Sequence, residues 1–347
     1  MTSASPGECL IVGFRGDRLD AGGAFAQKIK AGRIGGVILF DRHLATKSQE
    51  NNIVSPEQTK KLVADLQDAA GGDLLVAVDQ EGGAVSRFKA ARGFPETAKA
   101  ALLGAHPDSE MTRLAARRTA ETLAQLGINF NLAPVVDLNI NPDNPIIGRY
   151  GRSFGDNPER VARQAAVWIE EHRRLGIACC LKHFPGHGSS QHDSHLGFTD
   201  ISDSWHRKEL LPFQILIQHG LADAVMCGHL FHRGFDDAVP ATLSPAVIGG
   251  MLRRELAFDG VVVSDDMQMA AITSHFGFAE AAWRAMAAGV DIILVGNNLI
   301  ELSDAPGQFE QAIAAALQRG DLLEGRIEEA KRRIRLLKTK ISLEKRA

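Results

Sequence analysis

The sequence predicts an α/β fold, a (β/α)8 TIM-type barrel, on three observations. Short apolar, β-branched runs alternate with longer amphipathic stretches, which implies parallel strands joined by helical crossovers. The apolar runs are nearly continuous rather than alternating, as in a sheet buried on both faces. There are eight of them, and 347 residues lies within the range of that fold with insertions.

In order, the strands are read as CLIVGF (9–14), GGVILF (35–40), LLVAVDQ (74–80), NFNLAPVVDL (129–138), IACCLKHF (177–184), ADAVMCGHL (222–230), GVVVSDD (260–266) and VDIILVGNN (290–298). Helical patterns between them include 55–70, 109–126, 157–175, 244–256 and 278–288. A doubly wound open sheet is the rival architecture, and it usually carries a glycine-rich phosphate loop after its first strand. Here Phe14 is followed by RGDRLDAGG, which matches neither GxGxxG nor GxxxxGKS/T. No internal repeat, low-complexity block or linker divides the chain. One barrel domain over 1–347 is expected, with a C-terminal helix at about 324–338. The tail GRIEEAKRRIRLLKTKISLEKRA reads as an amphipathic helix whose basic residues form a solvated face.

Composition is 45% hydrophobic and 23% charged with a formal net charge of −3, which offers no electrostatic case for nucleic acid or an anionic membrane. The start, MTSASPGECLIVGF, lacks a basic n-region, and its apolar run is too short for a signal peptide. No apolar run approaches the ~18 residues of a membrane span. Cys9, Cys179, Cys180 and Cys227 lie in apolar contexts without CxxC spacing and read as buried reduced thiols. A cytoplasmic monomer is expected, with no nucleic-acid or membrane partner.

Polar residues gather at the C-terminal ends of the strands, in DQEGG, VVDLN, KHFPG, GHLFH, SDD and GNN. A barrel brings all these ends to one mouth, where active sites are built. Helix caps also use Asp, Ser and Asn after strands, and Asp266 is assigned to capping. Strand alternation sends Asp265 and Asp266 to opposite sides, so only one is expected at the mouth, and spacing does not choose between them.

The densest chemistry lies in KHFPGHGSSQHDSH (182–195). His183 and His187 at i, i+4 could form a metal pair on a helix, but Pro185 and Gly186 lie between them and the HExxH glutamate is missing. A solvated glycine-rich loop is the plain alternative. Proton transfer fits best: Asp193 can fix the tautomer of His195, and Gly186, Gly188, Ser189 and Ser190 supply a mobile loop.

KHFPGHG followed by four residues and DSH resembles the signature of glycoside hydrolase family 3. It is most similar there to single-domain bacterial β-N-acetylglucosaminidases of cell-wall recycling. AVDQEGGAVSRF (77–88), GRSFG (151–155), PATLSP (240–245), FDGVVVSDDMQM (258–269) and AGVDIILVGNN (288–298) resemble family blocks in the same order. The resemblance implies Asp265 as nucleophile and His195 as general acid/base, paired with Asp193. It implies that Asp79, Arg87, Arg152, Lys182 and His183 hold the sugar, with no cofactor and no metal. The activity implied is hydrolysis of terminal non-reducing β-linked N-acetylglucosamine with retention, the substrate being a peptidoglycan fragment such as GlcNAc–anhydro-muramic acid. Other family 3 activities (β-glucosidase, phosphorylase), a metal-dependent hydrolase and a non-catalytic sugar-binding barrel are the alternatives. Two departures stand out. Ala84 occupies a position where the family often has a basic residue, and Gly228 precedes His229 where another small residue is common.

Overall fold

A computed structural model describes residues 5–191 and 199–344. The strands are β1 (Leu10–Gly13), β2 (Gly36–Leu39), β3 (Leu75–Val78), β4 (Phe130–Asn131), β5 (Ala178–Phe184), β6 (Thr199–Asp200), β7 (Ala224–Cys227), β8 (Leu230–Phe231), β9 (Val261–Asp266) and β10 (Ile292–Val295). Eight of them close a parallel barrel in the order β1-β10-β9-β7-β5-β4-β3-β2, and β6 and β8 form a small parallel pair outside it. The (β/α)8 barrel expected from the eight apolar runs is therefore the fold, and every run holds a barrel strand. The fourth is short, Phe130–Asn131; beyond it the Leu132 amide still donates to β3 at Val78, the Ala133 oxygen accepts from the Cys180 amide on β5, and Val135 bridges to Lys182.

Helices α1 (Ala24–Lys30), α2 (Pro56–Ala70), α3 (Ala100–Gly104), α4 (Glu110–Leu126), α5 (Pro158–Arg173), α6 (Leu211–Gln218), α7 (Ala270–Thr273), α8 (Phe278–Ala288), α9 (Ala305–Arg319) and α10 (Glu324–Glu344) surround the strands. Residues Ala246–Glu255 form a π-helical segment where a helix was expected. Local chemistry sets many boundaries. In α2, Ser55 and Gln58 form a reciprocal capping box with Pro56 in the first turn, and Gly71 ends the helix in the left-handed region. Thr59, Leu62, Val63 and Leu66 then face the barrel, the 3.6-residue stripe that packs the helix on the sheet. Strands β1, β2, β3, β5, β7 and β10 are buried throughout, the outer face under helices and the inner face in the barrel core.

The last helix runs past the expected 338 to Glu344; Arg332 and Arg335 stay exposed, but other basic side chains of it are drawn into ion pairs rather than left in solvent. Arg326 and Arg333 reach the buried Asp291 before β10, Arg333 also meets Asp259, and Lys340 pairs with Asp223 before β7. Arg335 and Lys338 pair with Glu8 and Asp73. These carboxylates all sit near the N-terminal ends of strands, so α10 closes the floor of the barrel. All four cysteines are free and buried. No described helix is long and apolar enough to cross a membrane.

Candidate active site

Opposite that floor, the C-terminal strand ends surround a cavity of about 400 Å³, lined by Asp79, Glu81, Arg87, Arg152, Lys182, His183, Asp265 and Asp266 among others. The cavity is large enough for a small ligand.

Its polar wall is an interlocked set of ions. Lys182 Nζ donates to Asp79 Oδ1 and lies equally close, 2.8 Å, to Glu81 Oε1. Arg152 binds Glu81 through two parallel bonds of 2.7 Å, and Arg87 donates to Asp79 Oδ2 at 3.2 Å. Burial by itself would push both carboxyls up, but the adjoining cations outweigh it. Arg152 and Lys182 hold Glu81 at about 2, and Lys182 and Arg87 hold Asp79 below the usual carboxylate range. Burial would likewise lower Lys182, and the same two carboxylates keep it raised. Both signs of charge thus stay ionised at the mouth, offering charge-assisted donors and acceptors to hydroxyl groups. Arg87 is fixed further by lying over the Phe40 ring, 5.2 Å from its centroid, with buried Asp41 3.8 Å from its other terminal nitrogen.

Lys182 and His183 are neighbours on β5, yet both line the cavity. The β5–β7 ladder shifts register here: Leu181 pairs with Val225 and Phe184 with Cys227, one extra residue on β5. Such a bulge re-aims side chains. His183 is held by Asp137, whose Oδ2 lies 2.7 Å from Nδ1 and whose Oδ1 accepts from the His183 amide. Asp137 also accepts from the amide of His187 at 2.8 Å. Burial opposes its ionisation, but His183 and these bonds keep its pKa low.

Residues 185–190 are buried, so they are neither a solvated loop nor slack chain. A Cβ on Gly188 would sit 1.6 Å from the Leu138 carbonyl oxygen, and Gly186, at φ 124°, packs on Glu209. These glycines allow close approach rather than mobility. Asn144 donates to the His187 carbonyl and to Ser190 Oγ, and Glu209 accepts from the Gly188 amide. His187 is buried with Nδ1 2.7 Å from Ser190 Oγ, and burial pushes it down to about 4. His183 and His187 do approach, with ring centroids 5.7 Å apart, but Asp137 engages both residues. Among the described residues no group of three His, Cys, Asp or Glu side chains could hold a metal ion.

Asp265 and Asp266 both line the cavity, contrary to the alternation expected of a regular strand. The β9–β10 ladder is irregular here: Ile292 pairs with Val263 but Leu294 with Asp266, so β9 carries an extra residue at Ser264–Asp265. Asp265 Oδ1 accepts from the amide of Asp266 at 2.8 Å. Asp266 Oδ1 accepts from the amides of Gly296 and Gln268, and burial raises its carboxyl to about 6. It is not the helix N-cap expected of it: it holds the amides of Gly296, just after β10, and of Gln268, two residues on, while Met269 is the N-cap of α7.

Eight residues named from sequence bear on the cavity: Asp79, Arg87, Arg152, Lys182, His183, Asp265 and Asp266 line it, and so does the varied position Ala84. Asp193 and His195 lie outside the described residues. Sequence reasoning passed over Glu81 and Asp137, which brace the cationic side chains and His183. Their signal was present in DQEGG and VVDLN, carboxylates at strand ends beside residues already singled out.

Residues 18–337 match the Glycosyl hydrolase family 3 N terminal domain. The chain is 32% identical over 328 residues to "Beta-hexosaminidase A" of Pseudoalteromonas piscicida, covering 89% of this chain and 54% of that protein. It is 35% identical over 296 residues to a "Beta-hexosaminidase" of Tolumonas auensis, covering 83% of each. Its fold superposes on a family 3 β-N-acetylglucosaminidase from Paenibacillus sp. str. FPU-7 with a TM-score of 0.88 and 36% identity, covering 99% of this chain and 63% of that one. The chain thus spans a little over half of the first of these proteins and under two thirds of the solved structure. With the fold, the blocks in order and a match over nearly its whole length, the chain belongs to glycoside hydrolase family 3.

Proposed function

We propose that this chain is a β-N-acetylhexosaminidase that removes terminal non-reducing β-N-acetylglucosamine with retention of configuration. The observation that carries the reading is the joining, in one cavity, of the Asp79–Lys182–Glu81–Arg152 ion network with the carboxylate of Asp265. The ionised wall would grip ring hydroxyls while Asp265, on a rigid strand end, attacks the anomeric carbon. A glycosyl–Asp265 ester forms as the C1–O bond breaks, and His195, oriented by Asp193, gives its proton to the leaving oxygen. His195 then takes a proton from water as that water attacks C1 and frees Asp265. Most retaining enzymes place two carboxylic acids about 5–5.5 Å apart. An imidazole acid/base removes that constraint. The names of the related proteins support a hexosamine as the sugar released. A peptidoglycan fragment as substrate, a monomeric state and a cytoplasmic location belong to the same proposal.

The test compares aryl β-N-acetylglucosaminide with aryl β-glucoside, with products analysed in phosphate buffer. Preferred cleavage of the first, with free N-acetylglucosamine as product, is expected. A glucoside preference makes the chain a β-glucosidase, and a sugar phosphate product makes it a phosphorylase. No turnover of either overturns the reading in favour of a sugar-binding barrel.

A further inference from the structure

His229 follows β7, lies outside the cavity lining and is 2% exposed. Its Nε2 is 3.0 Å from the main-chain oxygen of Asp266, and its Nδ1 is 2.8 Å from Thr242 Oγ1. A carbonyl oxygen only accepts, so Nε2 carries a proton and donates it to the Asp266 peptide. Thr242, fully buried in the short 3-10 turn Ala241–Leu243, lies 2.8 Å from the Gly228 oxygen and 3.1 Å from the Cys227 oxygen. A strut of side chains therefore runs from the end of β7, through Thr242 and His229, to the Asp266 carbonyl, in the peptide between Asp266 and Met267.

That peptide matters because β9 is irregular there. The Gly296 amide bonds the Asp266 side chain, so the Asp266 carbonyl is taken instead by His229 and by the Met269 amide at 3.0 Å. The same residue's amide donates to Asp265 Oδ1. Any rotation of the Asp266 backbone would therefore move a hydrogen-bond donor on the Asp265 carboxylate.

We propose that His229, braced by Thr242, is a positioning residue for Asp265: it holds the Asp266 backbone so that the Asp265 carboxylate keeps one orientation toward the anomeric carbon. This rests on the reading of Asp265 as nucleophile. A histidine that only satisfied a buried carbonyl would affect stability without affecting the chemical step.

The experiment uses the full chain with His229→Gln, His229→Asn, Thr242→Ser and Thr242→Val. Readouts are aryl N-acetylglucosaminide kinetics, thermal unfolding, and the rate at which a fluorinated N-acetylglucosamine derivative labels the protein, with the labelled peptide mapped. Glutamine can place an amide N–H near the site of Nε2, whereas asparagine reaches only as far as Nδ1. His229→Asn and Thr242→Val are expected to lower kcat and the labelling rate together, by up to about 100-fold as for a small misplacement of a reacting group. KM should stay within about twofold, and His229→Gln and Thr242→Ser should recover most of the rate. A folded Asn or Val variant with wild-type labelling overturns the proposal, as does equal loss in the Gln and Asn variants or an effect on KM alone. If His229→Asn does not fold, the Thr242 pair decides. Wild-type protein that turns over substrate but is not labelled on Asp265 would remove the nucleophile reading instead, and this proposal with it.

Discussion

Asp265 and Asp266 are adjacent carboxylates in one cavity, and the structure gives them different surroundings. Among the described residues, Asp265 accepts from the Asp266 amide, while Asp266 accepts from the Gly296 and Gln268 amides and is raised to about 6 by burial. Asp265→Asn is expected to fold normally and lose on the order of 10⁴-fold or more in turnover, as removal of a nucleophile does. Asp266→Asn keeps an acceptor for Gly296 and Gln268, so its turnover should fall by less than about tenfold. Equal, near-total losses in both would contradict the distinction. Buried histidines supply a second test. His172 donates from Nδ1 to the Trp168 oxygen and faces the Asn131 amide with Nε2, a pattern that suits the neutral ring. Burial pushes it down to about 4. The unfolded chain binds the proton more readily, so the stability contributed is complete above about pH 6.5 and is lost as pH falls toward 4. Asp266 and Glu209, raised to about 6 and 7, act in the opposite sense. The measurement is therefore a difference: the stability advantage of wild type over His172→Gln should shrink by roughly 3 kcal/mol between pH 7 and pH 4. An advantage independent of pH would show that His172 is not held neutral.

Helix α10 acts as an element through its charges. Asp291 is fully buried before β10 and receives Arg253, Arg326, Arg333 and the amide of Val262. Removing one partner of such a group leaves the others buried without a counter-charge, which typically costs about 3–5 kcal/mol. Asp291→Ala should therefore lower unfolding free energy in urea by that amount, through loosened docking of α10. Because Asp291 lies at the floor and the cavity at the opposite end, kcat of the folded variant should change by less than about twofold. Unchanged stability with impaired kcat would show that the floor is coupled to the mouth in a way the packing does not indicate.

For the molecule as a whole, ligand binding and metal content follow from how the mouth is charged. Asp79 and Glu81 are neutralised by Lys182, Arg87 and Arg152 rather than left as a cation site. Activity should survive exhaustive EDTA, with no stoichiometric zinc in the purified protein. Chelator-sensitive activity restored by zinc would sink the proton-transfer reading of residues 182–195. N-acetylglucosamine at about 100 times its Kd should raise stability by about 2.7 kcal/mol, and glucose at the same concentration by less. Equal shifts would argue against recognition of the acetamido group.

Much of this was legible before folding was considered. Eight apolar runs separated by amphipathic stretches imply a parallel sheet covered on both faces, and the count of eight, with no glycine-rich phosphate loop after the first, favours the closed barrel over the open doubly wound sheet. Strand-end polarity in DQEGG, KHFPG and SDD located the mouth for the same reason, since parallel strands put all their C-terminal ends on one side. Other features were decided only in three dimensions. That Lys182 with His183, and Asp265 with Asp266, share one cavity depends on bulges in β5 and β9, and a bulge is set by the register of the neighbouring strand. That Gly186 and Gly188 serve packing depends on Glu209 and Leu138, which are distant in sequence. The basic face of α10 looks solvated until Asp291, Asp259 and Asp223 are brought beneath it. Periodicity within one segment reports which face is apolar, whereas partners for buried charge come from other segments, and only the tertiary structure pairs them.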